Sequence, residues 1–147
     1  MLVSLHWGGN WGYRVPREQI DFAHELVDCG AADLVHAHSS HHPKGIEIYR
    51  GKLILYGCGD FINDYEGISG HEEFRGDLGV MYFAQLDSAG GELVALELVA
   101  MCRRRLRLER APQIDCQWLC GVLNAEGERF GSSFDLRQCR LHLTRTR

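Results

Sequence analysis

The chain has 147 residues, of which 45% are hydrophobic and 24% charged, and its formal net charge is -4. This length suits one domain with a sizeable core and is too short for two ordinary domains. The slightly acidic balance gives no general attraction to nucleic acid, and no apolar run approaches the roughly 18 residues of a membrane-spanning helix.

The first third of the chain predicts a strand, a helix and a second strand. Residues 2–5, LVSL, have the composition of a short strand, and residues 33–37, DLVHA, have that of the next. Between them, apolar residues recur at helical spacing and stop before Gly30, a typical residue after a helix end: Ile20, Ala23, Leu26 and Val27. A helix between two strands predicts a parallel pair, and ligands of such sheets bind at the carboxyl ends of the strands.

Two hairpins and a long loop are predicted next. Residues 46–57 form two apolar runs around the turn residues RGK, and residues 79–101 form two longer runs around SAGG. The longer hairpin is apolar on both faces, which predicts other layers on both sides of it. The loop between the hairpins, residues 57–77, is rich in glycine and acidic residues, and its length is typical of functional or mobile loops.

The last third of the chain predicts a basic strand, a helix and a short final strand. Arginine and leucine alternate over residues 105–108, which predicts a half-exposed strand. The arginines in and around it either protect a sheet edge or contact a phosphate or polyanion: Arg103, Arg104, Arg105, Arg107 and Arg110. Residues 112–131 contain a helix, and four of its residues are predicted to face the core: Ile114, Trp118, Leu119 and Val122.

The six cysteines include no C-x-x-C pair. Cys116 and Cys120 are four residues apart, which places them on one face of the predicted helix. We expect free, mostly buried thiols, with a zinc knuckle or a disulfide framework as the alternatives. Free thiols and the absence of a signal-peptide pattern predict a cytoplasmic location for the chain taken alone.

Four of the eight residues in HAHSSHHP, 36–43, are histidines. Neutral imidazole is the commonest metal ligand, and Zn, Mn or Fe sites collect it from strand ends and loops. His38 and His41 can turn toward one point in a loop, and His36 shares a strand face with His38. The alternative is a polar loop whose histidines form hydrogen bonds with backbone and acidic groups.

Further candidate groups follow the other predicted strands. His6, in HWGGN, lies at the end of the first strand, where two glycines allow a ligand to approach the backbone closely. Asp60 and Asp64, in GDFIND, are carboxylates that either orient histidine ligands or act as a general acid. The alternative for both is turn chemistry, in which aspartate is common.

The stretches VSLHWGGNW and AHELVDCGAADLVHAHSSHHPKGIEIYRGKLILYGCGDFIND together resemble the CapA family of capsule, or poly-γ-glutamate, biosynthesis proteins. The resemblance runs in order along residues 3–64 and continues more loosely to about residue 135. That family is similar to the calcineurin-like metallophosphoesterases. The similarity implies an αββα sandwich of mixed sheets flanked by helices, with a dinuclear site for divalent Mn, Fe or Zn.

The resemblance implies three metal ligands and two catalytic or supporting residues: His6, His38 and His41 as ligands, with His42 and Asp60 beside them. The sequence departs from the superfamily motif at two points. Ala37 stands where a glycine is usual, and two residues instead of one separate His38 from His41.

The superfamily's early aspartate–histidine and asparagine–histidine motifs have no counterpart in the sequence. We therefore expect residues 1–147 to be a single, N-terminally truncated domain, the C-terminal half of the sandwich, with only part of the metal shell. The implied reaction is metal-assisted hydrolysis or transfer at a phosphate or related anionic group.

The implied substrate is an anionic polymer or a phosphoester, and the implied partners are other capsule synthesis components at the cell envelope. Two alternatives remain at this point. One is a non-catalytic accessory component of exopolymer synthesis or export, and the other is an inactive fragment.

Overall fold

The computed structural model describes residues 1–63 and 68–145, and this part of the chain is a mixed α/β structure with two sheets and two helices. Its helices and strands follow one another in this order: β1 Leu2–His6, α1 Arg17–Asp28, β2 Leu34–His38, β3 Ile46–Tyr49, β4 Lys52–Leu55, β5 Leu78–Leu86, β6 Leu93–Arg104, β7 Arg107–Arg110, α2 Gln113–Gly127, β8 Ser132–Arg137 and β9 Arg140–Arg145. This architecture confirms the predicted α/β class and is compatible with the C-terminal half of an αββα sandwich. Neither described helix has the length and apolar character needed to cross a membrane.

The first sheet has the strand order β1-β2-β4-β3. β1, β2 and β4 are parallel, and β3 pairs antiparallel with β4 across the predicted RGK turn. β1 and β2 pair in register from Leu2 opposite Leu34 to His6 opposite His38. The predicted strand–helix–strand unit is therefore confirmed, and it places two histidines side by side at the carboxyl edge of the sheet.

Helix α1 covers the outer face of the first sheet. It buries Ala23 and Val27 in one apolar cluster with Val35 and Ile54 of the sheet. The helix ends where Gly30 takes a left-handed conformation, with φ 75, and its N–H donates to the carbonyl of Val27 at 3.0 Å. A residue with a side chain would be strained at this position, so glycine marks the helix end for a physical reason.

The second sheet is antiparallel, with the strand order β5-β6-β9-β8 and with β7 paired to β6. The main core lies between the two sheets, where Leu53 of β4 and Leu98 of β6 are both fully buried, and α2 packs into the same core. The far part of the β5–β6 hairpin is covered on one side only, because Phe83 is 49% and Val94 58% exposed. The prediction of layers on both sides is wrong for that part.

The core-facing side of helix α2 only partly matches the predicted one, because Leu119 is buried and Trp118 packs against the core, but Ile114 does neither. Ile114 is 68% exposed, whereas the apolar and thiol side chains that the helix buries are Cys116, Leu119, Cys120 and Leu123. The cause is an ion pair in the first turn, where Arg75 Nη1 donates to Asp115 Oδ1 at 3.1 Å. This pair holds the carboxylate inward, so the neighbouring isoleucine points outward.

The thiol prediction is confirmed for the described residues. Every described cysteine is free, and four of them are buried: Cys58, Cys102, Cys116 and Cys120. Cys29 is exposed, and Cys139 is partly buried. Buried thiols of this kind act as small apolar side chains in the core.

Residues 105–108 form the predicted strand only in part, because strand β7 begins at Arg107. Arg105 and Leu106 have left-handed φ values of 51 and 58 and form the two-residue turn that joins β6 to β7. The predicted single strand at the C-terminus is also a hairpin, of β8 and β9, with Gln138 and Cys139 in the same kind of turn. None of these turn residues is glycine or asparagine, so the usual sequence signal for such a turn is missing.

Two alanine substitutions in α2 test its buried face. Leu119→Ala should lower the free energy of unfolding by about 2–5 kcal/mol, because it replaces a fully buried side chain by a cavity. Ile114→Ala should change that free energy by less than about 0.5 kcal/mol, because the side chain lies mostly in solvent. Urea denaturation followed by circular dichroism measures both, and equal losses would contradict the assigned face.

Candidate functional site

Three loops meet at the carboxyl edge of the first sheet, after β1, β2 and β4. The loops after β1 and β2 are joined by three hydrogen bonds: from Trp7 N to His38 O at 3.1 Å, from Ser39 Oγ to Gly8 O at 3.1 Å, and from His41 N to Asn10 O at 3.0 Å. The loop after β4 is attached through Cys58 N, which donates to Ala37 O at 2.9 Å. These main-chain and hydroxyl contacts bring the predicted site residues to one edge of the sheet.

His6 and His38 are adjacent imidazoles at the ends of β1 and β2. Their ring centroids are 5.2 Å apart, with an angle of 73° between the ring planes. His36, two residues earlier on β2, has its ring 5.8 Å from that of His38 and its Nδ1 3.3 Å from Ser4 Oγ. Burial, followed by the neighbouring His38, lowers the pKa of His36, which favours its neutral form. The prediction that His36 and His38 share a face is confirmed.

His41 is paired with Asp60. Its Nδ1 lies 2.8 Å from Asp60 Oδ2, and Asn63 Nδ2 donates to the same oxygen at 3.2 Å. The two side chains are 20% and 22% exposed, so the contact is largely shielded from water. A carboxylate that accepts from Nδ1–H leaves the lone pair on Nε2, which is the form in which histidine binds a metal.

His42 is fully buried. Its ring stacks on Phe74 with 4.6 Å between centroids, and Trp11 and Tyr13 pack on it as well. Its Nδ1 donates to Pro43 O at 3.0 Å, while Nε2 has no hydrogen-bond partner in the described part of the chain. Burial lowers the pKa of His42 to about 4, so the imidazole is neutral near pH 7.

Arg103 holds the backbone that carries Asp60. This arginine is 7% exposed on β6, and its Nη1 donates to Asp60 O at 2.6 Å while its Nη2 donates to Gly76 O. A buried guanidinium needs such acceptors, because an unpaired buried charge is costly. Neither role predicted for the arginine run fits Arg103. The contact joins residues 43 positions apart, and local sequence carries no signal for it.

Trp11 and His71 form an aromatic wall beside His41. Their rings stack at 4.3 Å, and the centroid of the Trp11 ring lies 5.2 Å from that of His41. His71 belongs to the long loop over residues 57–77, so this loop contributes to the site, as its length predicted. Neither residue was a predicted site residue, and the tryptophan content of the loop after β1 is the signal that could have identified the wall.

The structure pairs His6 with His38, two predicted ligands, and His41, the third predicted ligand, with the predicted supporting residue Asp60. Asp64 lies outside the described residues. Within residues 1–63 and 68–145, no group of three or more histidine, cysteine, aspartate or glutamate side chains is arranged to hold a metal ion. The described residues offer two adjacent imidazoles and a third imidazole that a carboxylate orients.

Comparison with known proteins shows what this chain is similar to. A family model described as bacterial capsule synthesis protein PGA_cap matches residues 1–65, which include every predicted site residue. A protein of Mycobacterium tuberculosis, named as a polyglutamine synthesis accessory protein, is 52% identical over 130 residues, 88% of this chain and 34% of that protein. This chain thus spans about a third of the length of the mycobacterial relative.

Two Bacillus proteins are similar over a shorter range. The PGA biosynthesis protein CapA of Bacillus subtilis is 33% identical over 64 residues, 44% of this chain and 17% of that protein. The capsule biosynthesis protein CapA of Bacillus anthracis is 30% identical over 64 residues, 44% of this chain and 15% of that protein.

The buried His42 predicts a pH-dependent stability. Its pKa is about 4 in the folded protein against 6.5 for an ordinary histidine, so between these values the unfolded chain binds more protons. The free energy of unfolding should therefore fall as the pH falls through this window, by about 3 kcal/mol from this residue. Urea denaturation at about pH 7 and about pH 4 measures the loss.

His42→Phe should remove this part of the pH dependence, because phenylalanine keeps an aromatic ring in the cage and binds no proton. The matched control is His142→Phe, on a partly exposed position of β9, which should keep the loss of stability that comes from His42. An identical pH dependence in His42→Phe and the unchanged protein would rule out the assignment.

Proposed function

Because the chain belongs to the CapA family of bacterial capsule synthesis proteins, we propose that it acts in making or handling an anionic exopolymer and binds a divalent metal ion at the carboxyl edge of its first sheet. The observation that carries the proposal is the register of β1 and β2, which sets His6 and His38 side by side. Ligands of sheets with parallel strands bind at this edge.

His6, His38 and His41 are the proposed metal ligands, and the ion is Mn, Fe or Zn. The contact between His41 Nδ1 and Asp60 Oδ2 supports this assignment, because it directs the lone pair of Nε2 away from the carboxylate. Two adjacent imidazoles make an incomplete shell, so we expect this chain to hold one ion weakly. A dinuclear site is proposed for a domain that supplies the remaining ligands.

The proposed reaction is hydrolysis or transfer at a phosphate or related anionic group. A divalent ion at this edge would supply a Lewis acid and a bound water of lowered pKa. Asp60 fixes the orientation of His41, and Arg103 fixes the backbone of Asp60. Trp11 shields one side of His41 from water. A catalytic role for His42 stays a prediction, and its contacts support a role in shaping the loop.

A second candidate function is a non-catalytic accessory component that holds a ligand in the same place. The observation in its support is that the mycobacterial relative is named as an accessory protein. In that case, other capsule synthesis components carry out the chemistry, and this chain binds the anionic polymer or phosphoester.

Metal titration tests the proposed ligands directly. Isothermal titration of the chain with Zn²⁺ and with Mn²⁺ should show one ion bound, and His38→Ala should abolish measurable binding because it removes one of the two adjacent imidazoles. Asp60→Asn should weaken binding by about 10–100-fold, the usual effect of losing a carboxylate that orients a histidine ligand. His142→Ala, on the second sheet, is the matched control and should bind as the unchanged chain does.

Hydrolysis of a simple phosphodiester by the metal-loaded chain separates the two candidate functions. Turnover that is lost in His38→Ala and kept in His142→Ala supports a hydrolase. Metal binding without turnover on any phosphoester favours the accessory role. Absence of metal binding, or equal weakening by His38→Ala and His142→Ala, would overturn the metal site itself.

A further inference from the structure

Three arginines cluster at the tip of the β6–β7 hairpin, and we call Arg104, Arg105 and Arg107 the arginine tip. All three side chains are exposed. They line a groove of about 520 Å³ together with Glu109. The whole chain carries a net charge of -4, so this concentration of positive charge is a local feature of one hairpin.

The positively charged side chains of the arginine tip repel one another. Arg104 and Arg107 are direct partners in the register of β6 and β7, and like charges directly opposite each other destabilise a strand pair. In the part of the chain that the structure describes, none of the three guanidinium groups forms an ion pair with an acidic side chain. An anion bound across the two strands would relieve this repulsion.

The turn brings a third charge to the same place. Arg105 is the first residue of the two-residue turn, with φ 51, and Leu106 follows with φ 58 and is 70% exposed. Three guanidinium groups within four residues therefore surround the end of the hairpin. Each is a planar fork that matches the two oxygens of a carboxylate, so the arginine tip suits a ligand with several carboxylates.

The arginine tip lies beside the loop that carries Asp60. Leu106 and Arg107 line a small cavity together with Phe61 and Asn63 of that loop. The residue before the tip, Arg103, donates to the carbonyl oxygen of Asp60. A long anionic chain bound at the tip would therefore pass close to the candidate site.

The composition of the arginine tip argues against nucleic acid. Proteins that bind single-stranded nucleic acid combine positive charge with aromatic side chains on which the bases stack. Among the described residues, those that line the 520 Å³ groove are three arginines and one glutamate, with no aromatic side chain among them. The described lining of this groove therefore offers a ligand charged groups and no ring on which a base could stack.

We propose that the arginine tip is a docking site for an extended polymer of carboxylates, which it holds next to the Asp60 loop. The choice of carboxylate over phosphate rests on the proposed function in anionic exopolymer synthesis. The presence of a polyanion site rests only on the hairpin itself.

Fluorescence anisotropy of labelled poly-γ-glutamate with the full chain at low ionic strength tests the proposal. Changing all three arginines of the tip to glutamine should weaken binding at least about tenfold, because each exposed charge contact contributes a few-fold. The affinity of the unchanged chain should fall steeply with added salt. The substituted side chains are exposed, so the variant should keep its fold, and circular dichroism checks this.

The matched control is the triple variant Arg17→Gln, Arg50→Gln and Arg137→Gln, which removes three exposed arginines elsewhere and changes the net charge equally. It should bind poly-γ-glutamate about as well as the unchanged chain. Equal weakening by both triple variants would show attraction by net charge only and overturn the docking site. Tighter binding of polyphosphate or single-stranded DNA than of poly-γ-glutamate would overturn the carboxylate assignment.

Measuring polymer binding in the presence of a chelator shows whether the arginine tip binds independently of the proposed metal site. The unchanged chain and His38→Ala should bind poly-γ-glutamate equally in EDTA, because the arginine tip needs no metal. If the metal titration fails and this binding persists, the docking site stands without the metal. Binding that disappears in EDTA or in His38→Ala would place the polymer at the histidines and overturn the arginine tip.

Discussion

The in-register pairing of β1 with β2 is the constraint on which the candidate site depends. Parallel strands end at the same edge of a sheet, so the loops that follow them begin side by side. A slip of one residue would turn His6 to the face that α1 covers and would separate it from His38. The helix resists such a slip, because Val3 and Leu5 of β1 pack in the same apolar cluster as Ala23 and Val27 of α1.

Strand β6 of the second sheet contacts the candidate site through Arg103. Arg103 of β6 donates to the carbonyl oxygens of Asp60 and Gly76, so a buried cation ties both ends of the loop over residues 57–77 to the second sheet. The next residue, Arg104, is exposed, since side chains alternate along a strand. One hairpin therefore carries a buried arginine that holds the loop and neighbouring arginines that face solvent. In the sequence, these arginines form one basic run, and nothing in it distinguishes the buried residue from the exposed ones.

The features that could be predicted from the sequence are those that interactions between nearby residues determine. The spacing of apolar residues and the conformational need for Gly30 fix α1, and the strand–helix–strand order then brings the histidines to one edge. Asp60 was predicted to orient a histidine because carboxylates commonly do so. Ile114 was misplaced because an ion pair of the neighbouring Asp115 with a distant loop sets the helix face, and Arg103 was missed for the same reason. Contacts between residues far apart in sequence leave no periodic signal.

Two of the three hydrogen bonds between the loops after β1 and β2 run between main-chain atoms, from Trp7 N to His38 O and from His41 N to Asn10 O. Every residue except proline offers the same N–H and C=O groups, so these bonds do not depend on the side chains that the loops carry. Side chains of these loops can therefore change without breaking the two bonds, wherever the new residue tolerates the same backbone conformation. The alignment of the two histidines at the strand ends would persist through such exchanges.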